Sequence, residues 1–306
     1  MTIAFITHPA CRLHQMGDAH PDSPARLAAI EDEIIATGLE FALRRHDAPA
    51  ASREQLARVH DPAYVERVFA LAPEQDLVWL DQDTAMNPHT LNAALHAAGA
   101  VVQAVDLVLG GEERCAFCSV RPPGHHAERA NTMGFCFFNN IAVGAAHALD
   151  RYRLQRIALL DFDVHHGNGT EDIFRNDPRV LFCSSFQHPC FPYTDTGVSG
   201  EHMVKTPLDP GTGSQTFRNR ISHDWFDRLA AFSPELVFIS AGFDAHWQDD
   251  IADLNLGEQD FSWITGKIRE IADTHAGGRI ISVLEGGYAL PALPRSVAAH
   301  LHALLD

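Results

Sequence analysis

The chain has 306 residues, 46% hydrophobic and 21% charged, a composition ordinary for a soluble globular protein and ample for a sizeable core. Its formal net charge of −17 argues against gripping a nucleic-acid backbone, which needs clustered Lys and Arg; it fits a cationic substrate or a high-salt cytoplasm equally well. No uninterrupted apolar run reaches membrane-spanning length and no basic segment leads into an apolar one at the start, so the expectation is a cytoplasmic protein with no membrane partner.

Met1 to Ile6 reads as an opening strand. Residues 14 to 26 form a polar loop that enters a helix from about Pro24 to Ala36, with Ser23 as cap and Pro24 at the first helical position. Residues 41 to 113 read mainly as helices and connections, among them Pro62 to Leu71 and the Ala- and Leu-rich Pro88 to Leu109, with His89 and His96 on helix surfaces. Cys115 and Cys118 straddle a strand. With no second Cys-x-x-Cys, they read as small buried apolar side chains, and no disulfide is expected.

Four apolar runs then end in polar or glycine-rich chemistry. Ala116 to Val120 leads into Arg121-Pro122-Pro123-Gly124-His125-His126, and Ile157 to Leu160 into Asp161-Phe162-Asp163-Val164-His165-His166-Gly167-Asn168-Gly169. Leu236 to Ile239 leads into Ser240-Ala241-Gly242-Phe243-Asp244, and Ile280 to Leu284 into Glu285-Gly286-Gly287-Tyr288. Such runs are buried parallel strands, and in an open α/β sheet their carboxyl ends line one crevice. Asp163 and His165, two residues apart, can project to the same side and meet one ion. Taken alone, a D-x-H pair is more often a polar loop in water.

Further on, Gln187 to Gly200 and Pro207 to Gly213 read as loops rimming a pocket. Ala245 to Gly257 is an acidic loop whose Asp249, Asp250 and Asp253 read as solvated, and residues 258 to 275 and 291 to 305 as covering helices. No repeat, linker or low-complexity tract divides the chain, so residues 1 to 306 read as a single domain.

The set RPPGHH, DFDVHHGNG, AGFD and EGGY, in that order, resembles the histone deacetylase family in its class II-like branch, which includes bacterial acetylpolyamine amidohydrolases. The likeness runs from the His14 to Arg26 region to Tyr288. It implies an arginase/deacetylase-like fold: a single α/β domain with a mostly parallel central sheet flanked by helices.

The resemblance also implies a site. Asp163, His165 and Asp244 would hold one catalytic Zn2+, leaving a position open for water and substrate. His126 would act as general base and then acid, supported by His125; Asp161 and Asn168 would partner the two imidazoles. Tyr288 would donate to the developing oxyanion, a donor of the kind whose loss costs on the order of 3 kcal/mol. Gly134, Phe135 and Phe191 would line a narrow aromatic tunnel, and Arg26 would hold the Gly286-Gly287 loop. Asp161, Asp163, His165 and Ser184 would surround a structural K+.

The function that follows is zinc-dependent removal of acetyl groups from a small cationic acetylated amine or from acetyl-lysine, with room for a homo-oligomer. Two alternatives stay open: a dinuclear manganese ureohydrolase of the arginase type, and a non-hydrolytic binder of acetylated ligands.

Overall fold

A computed structural model describes residues 2–197 and 200–306. Met1, in the opening-strand reading, and Val198 and Ser199, in the rim-loop reading, lie outside the described residues.

Among the described residues ten strands form: β1 (Ile3–Thr7), β2 (Leu43–Asp47), β3 (Val78–Trp79), β4 (Ala85–Met86), β5 (Cys115–Cys118), β6 (Ile157–Asp161), β7 (Val180–Gln187), β8 (Met203–Leu208), β9 (Leu236–Ala241) and β10 (Ile280–Leu284). Eight of them make one sheet in the order β2-β1-β5-β10-β9-β6-β7-β8, with every pairing parallel; β3 and β4 form a small antiparallel pair. The four apolar runs singled out above are four consecutive neighbours at the centre of this order. Each is buried along its whole length. A fully buried Val, Leu, Ile or Phe side chain contributes about 1.5–3 kcal/mol, so these strands anchor the fold.

Parallel strands need crossover connections, and helices supply them. In chain order these are α1 (Ala25–Thr37), α2 (Arg53–Leu56), α3 (Pro62–Leu71), α4 (Thr90–Leu109), α5 (Asn140–Arg151), α6 (Asn168–Phe174), α7 (Ser214–Ile221), α8 (Asp227–Phe232), α9 (Glu258–His275) and α10 (Leu293–Leu305). Helices α1, α10 and α9 pack side by side, as do α4 and α5. The helix α4 is long and apolar enough by composition to cross a membrane, but 67% of its most apolar window is buried inside this fold.

Several expectations need correction. Pro24, not Ser23, occupies the cap position of α1 and no side chain caps it; Ser23 contributes only its carbonyl, which accepts from the Arg26 amide at 3.1 Å. His96 is half-buried rather than on a surface, because α4 is covered on nearly all sides. Its ring stacks on His8 with centroids 3.5 Å apart, and its Nδ1 lies 2.7 Å from the Ala48 carbonyl. Pro207 and Leu208 belong to β8 rather than to a loop. The segment read as helices and connections also holds β2, whose Arg44 and Arg45 are exposed. A charged, half-exposed strand is what a sheet edge tolerates, and it carries no apolar run to reveal it.

Candidate metal centre and active site

Beyond the carboxyl ends of β5, β10, β9 and β6, the chain turns into one cavity of about 410 Å³ lined by His125, His126, Gly134, Phe135, His165, Phe191, Gly286 and Tyr288 among others. The bend after β6 is built from two short turns. Asp161 Oδ1 accepts the Asp163 amide at 3.1 Å, and Asp163 Oδ1 accepts the His165 amide at 2.9 Å. Such side-chain-to-backbone bonds let Asp redirect the chain without a longer loop.

His165 Nδ1 then lies 3.0 Å from Asp163 Oδ1 and 3.3 Å from Asp244 Oδ2. All three residues are buried, and one ligand atom from each falls within 4.8 Å of the others. The remaining carboxylate oxygens are held by backbone: Asp163 Oδ2 accepts the Gly286 amide at 2.8 Å and Asp244 Oδ1 the Val164 amide at 2.9 Å. Asp244 Oδ2 is buried and, among the described residues, has no hydrogen-bond partner. Burial, then the neighbouring Asp163 charge, pushes the Asp244 carboxyl up to about 6.

Two buried carboxylates crowded together with an orphaned oxygen are a cation-seeking arrangement. A tetrahedral ion with bonds of about 2.0–2.1 Å spaces its ligand atoms about 3.3 Å apart, which these separations match. The donor set fits Zn2+ and, by its oxygen content, would also accept Fe(II), Co(II) or Mn(II). Gly286 is required here, because a Cβ at that position would come within 2.0 Å of Asp244 Oδ2.

The paired imidazoles sit beside this centre with ring centroids 4.0 Å apart. His125 Nδ1 is 2.9 Å from Asp161 Oδ2, and His126 Nδ1 is 2.8 Å from Asn168 Oδ1. Burial opposes charge on both rings, but the carboxylates Asp161 and Asp163 outweigh it at His125 and push its pKa up to about 10. His126 lacks a carboxylate partner of its own. Burial, and then the nearby His125, hold its pKa well below the ordinary value. The arrangement therefore favours charge on His125 and disfavours it on His126.

Glu285 positions the pair. Its Oε2 accepts the Gly124 amide at 2.7 Å and the His125 amide at 3.2 Å, while Oε1 accepts from Ser240 Oγ at 3.1 Å, tying three strand ends together. Burial pushes its carboxyl up to about 7, against the pull of His125 and the Gly124 amide. Glu285 stands inside the EGGY motif, but its role is not legible there, because the amides it holds belong to residues 124 and 125.

Arg26 is fully buried and reaches the tyrosine loop: Nε donates to the Gly287 carbonyl at 2.6 Å and Nη2 to the Glu285 carbonyl at 2.5 Å. Its guanidinium also lies over the Tyr288 ring, 4.9 Å from the centroid. Asp22 anchors it with Oδ1 at 2.7 Å from Nη1, and Arg121 bridges to the same carboxylate at 2.6 Å. Asp249 overturns the reading of its loop as solvated. It is buried, and its Oδ2 accepts the amides of Tyr288 at 2.6 Å and Ala289 at 2.9 Å; Asp250 and Asp253 remain exposed. Asp22 and Arg26 stand four apart, a spacing the sequence does show, but Arg121 and the Tyr288 loop are far from Asp22 and Asp249 along the chain and leave no such signal.

The cavity walls are aromatic. Phe191 meets the rings of His126 and His165 edge-on at 5.1 and 6.1 Å, and Phe135 meets Tyr288 edge-on at 5.9 Å. Gly134 has φ +54°, and a Cβ there would stand 2.5 Å from His126 Cδ2, so only glycine brings this wall against the imidazole. Asp161 and Ser184 are direct partners across β6 and β7, and Ser184 Oγ lies 2.9 Å from His166 Nδ1. His166 itself faces away from the cavity, with Nε2 2.6 Å from Glu171 Oε2.

The model for the histone deacetylase domain matches residues 20–304. The chain is 38% identical over 282 residues to a histone deacetylase-like amidohydrolase of Pseudomonas aeruginosa, covering 90% of this chain and 74% of that protein. It is 36% identical over 307 residues to a polyamine deacetylase of Mus musculus, covering 93% of this chain and 45% of that longer protein. The crystal structure of an HDA15 HD domain shares the fold with a TM-score of 0.92 at 29% identity, over 99% of this chain and 88% of that one. With a match along nearly its whole length and the same single α/β domain built on a large parallel sheet, this chain belongs to the histone deacetylase family.

Proposed function

We propose that the chain is a zinc-dependent amidohydrolase that removes acetyl groups from acetylated amines, of acetylpolyamine or acetyl-lysine type. The observation that carries this reading is the meeting of Asp163, His165 and the orphaned Asp244 oxygen at the edge of a cavity that His165, the His126 imidazole and the Tyr288 phenol line. A divalent cation bound by those three residues would supply Lewis acidity toward the acetyl carbonyl and lower the pKa of water.

The chain's own groups do the rest. His126, held neutral, takes a proton from the attacking water and returns it to the departing amine nitrogen. His125, paired with Asp161, keeps a positive charge beside it. Tyr288 donates its hydroxyl proton in a hydrogen bond to the carbonyl oxygen as charge builds there, with its backbone fixed by Asp249 and its ring by Arg26. Phe135, Phe191 and Gly134 form a slot for an aliphatic chain, and Asp83 and Asp253, which also line the cavity, favour a substrate with positive charge. Asp161, Asp163, His165 and Ser184 are proposed to hold K+ beneath the bend.

An arginase-type dinuclear centre would need further carboxylates around the first ion; among the described residues one group of three converges. The experiment is a panel of acetylputrescine, acetylcadaverine, acetylspermidine and acetylated peptides, run with metal analysis. Turnover that disappears on exhaustive chelation and returns with one Zn2+ per chain is expected. Full activity after chelation, or no turnover of any acetylated amine, would end the proposal.

A further inference from the structure

Glu128 lies two residues after the imidazole pair, and none of the roles assigned above uses it. Asn168 Nδ2 donates to Glu128 Oε1 at 2.9 Å and points at Met133 Sδ at 3.3 Å, while the other end of the same amide, Oδ1, lies 2.8 Å from His126 Nδ1. The second Glu128 oxygen, Oε2, accepts from Asn131 Nδ2 at 3.2 Å. The Glu128 amide donates to the Asn131 carbonyl at 3.0 Å, which closes the turn and fixes the carboxylate in place.

A primary amide has nearly the same shape at both ends but opposite hydrogen-bonding character, so shape alone does not decide which end faces His126. The partners decide. A carboxylate only accepts, and a thioether is a weak acceptor, so the outer end of Asn168 must present its NH2 group. The oxygen is left for His126, which must then carry its proton on Nδ1. Nε2 is thereby bare and able to take a proton. If Glu128 were absent, the amide could turn round, donate to Nδ1 and leave the proton on Nε2, where it blocks the base.

We infer that Glu128 is a positioning residue that acts through Asn168 to set the tautomer of His126. This rests on the reading of His126 as the base, and the test separates the two claims. Glu128→Gln keeps the shape but can either donate or accept. It should lower kcat by about 10- to 100-fold, the usual range for groups that orient a metal-site imidazole, with KM and metal content unchanged. Long-range 1H–15N spectra of the same variant should show the His126 proton redistributed from Nδ1 to Nε2.

The decisive comparison uses Asn168→Asp, which has no donor end to orient and sets two carboxylates against each other. Adding Glu128→Gln to it supplies a donor in place of that repulsion and should raise kcat above the Asn168→Asp variant alone. An equal loss from Glu128→Gln in both backgrounds, or an Nδ1 proton undisturbed in the single variant, would overturn the inference. If the wild-type chain turns over no acetylated amine, the proposed function falls, and the spectra still decide what Glu128 does.

Discussion

Replacing Asp249 with alanine would test how far the tyrosine loop depends on one buried carboxylate. Asp249 Oδ2 accepts the amides of both Tyr288 and Ala289, at 2.6 and 2.9 Å. A fully desolvated amide left without a partner costs about 1–3 kcal/mol, and since these two bonds are partly buried, stranding both costs about 2–6 kcal/mol as an upper range. At roughly 2 °C per kcal/mol for a chain of this size, the melting temperature should fall by about 4–12 °C. The loop also carries the phenol, and a misplacement of about 1 Å costs about 100-fold in turnover. Asp249→Asn keeps an acceptor oxygen without charge. Because charge-assisted bonds are roughly twice as strong as neutral ones, it should lose about half as much stability. Scanning calorimetry, kcat on an acetylated amine and bound metal per chain form the assay. An alanine variant that melts within about 2 °C of wild type and keeps its kcat would refute the reasoning.

Three further outcomes follow from the same geometry. Tyr288→Phe removes the hydroxyl alone and should lower kcat by about 100- to 1,000-fold with metal content unchanged; a loss below about tenfold would remove Tyr288 from the chemistry. Asn168→Asp places a carboxylate on His126 Nδ1, favours the imidazolium and raises its pKa, so activity that needs the neutral ring is lost at a higher pH. The acidic limb of the pH–rate profile should move upward, and a stationary limb would contradict the pairing. His300 is buried between Thr265 Oγ1 at 2.6 Å and Ser282 Oγ at 2.8 Å, and burial holds its pKa down to about 3. The unfolded ring takes up a proton below about pH 6.5 while the folded ring refuses it. Its contribution to stability is therefore complete above that pH and drains away toward the folded value. His300→Gln should flatten the fall of melting temperature between about pH 6.5 and 4, and an unchanged slope would show that other groups govern acid unfolding.

Much of the site was legible along the chain because its ligands cluster at strand ends. Asp163 and His165 stand two apart, His125 and His126 are adjacent, and Asp244 and Tyr288 each follow an apolar run within a few residues. What escaped was of another kind. Asp249 lies among acids that do face water, Asp22 reaches Arg26 and Arg121 from a polar loop, and Glu128 acts through an amide forty residues away in sequence. The edge strand β2 is charged and half-exposed and so carries no apolar run, while β8 is mostly buried but has Lys205 and Pro207 breaking its apolar pattern.

Local chemistry along the chain determined which side chains could bind a cation, move a proton or donate to an oxyanion, since residue type and the polar ends of apolar runs are properties of the sequence itself. Only the tertiary structure decided that β5, β10, β9 and β6 lie side by side, so that four separate loops share one cavity. It also decided which acids leave the solvent: a buried carboxylate needs amides, guanidiniums or imidazoles in place of water, and for Asp22, Asp249 and Glu285 some of those partners come from segments far along the chain that only the fold brings near.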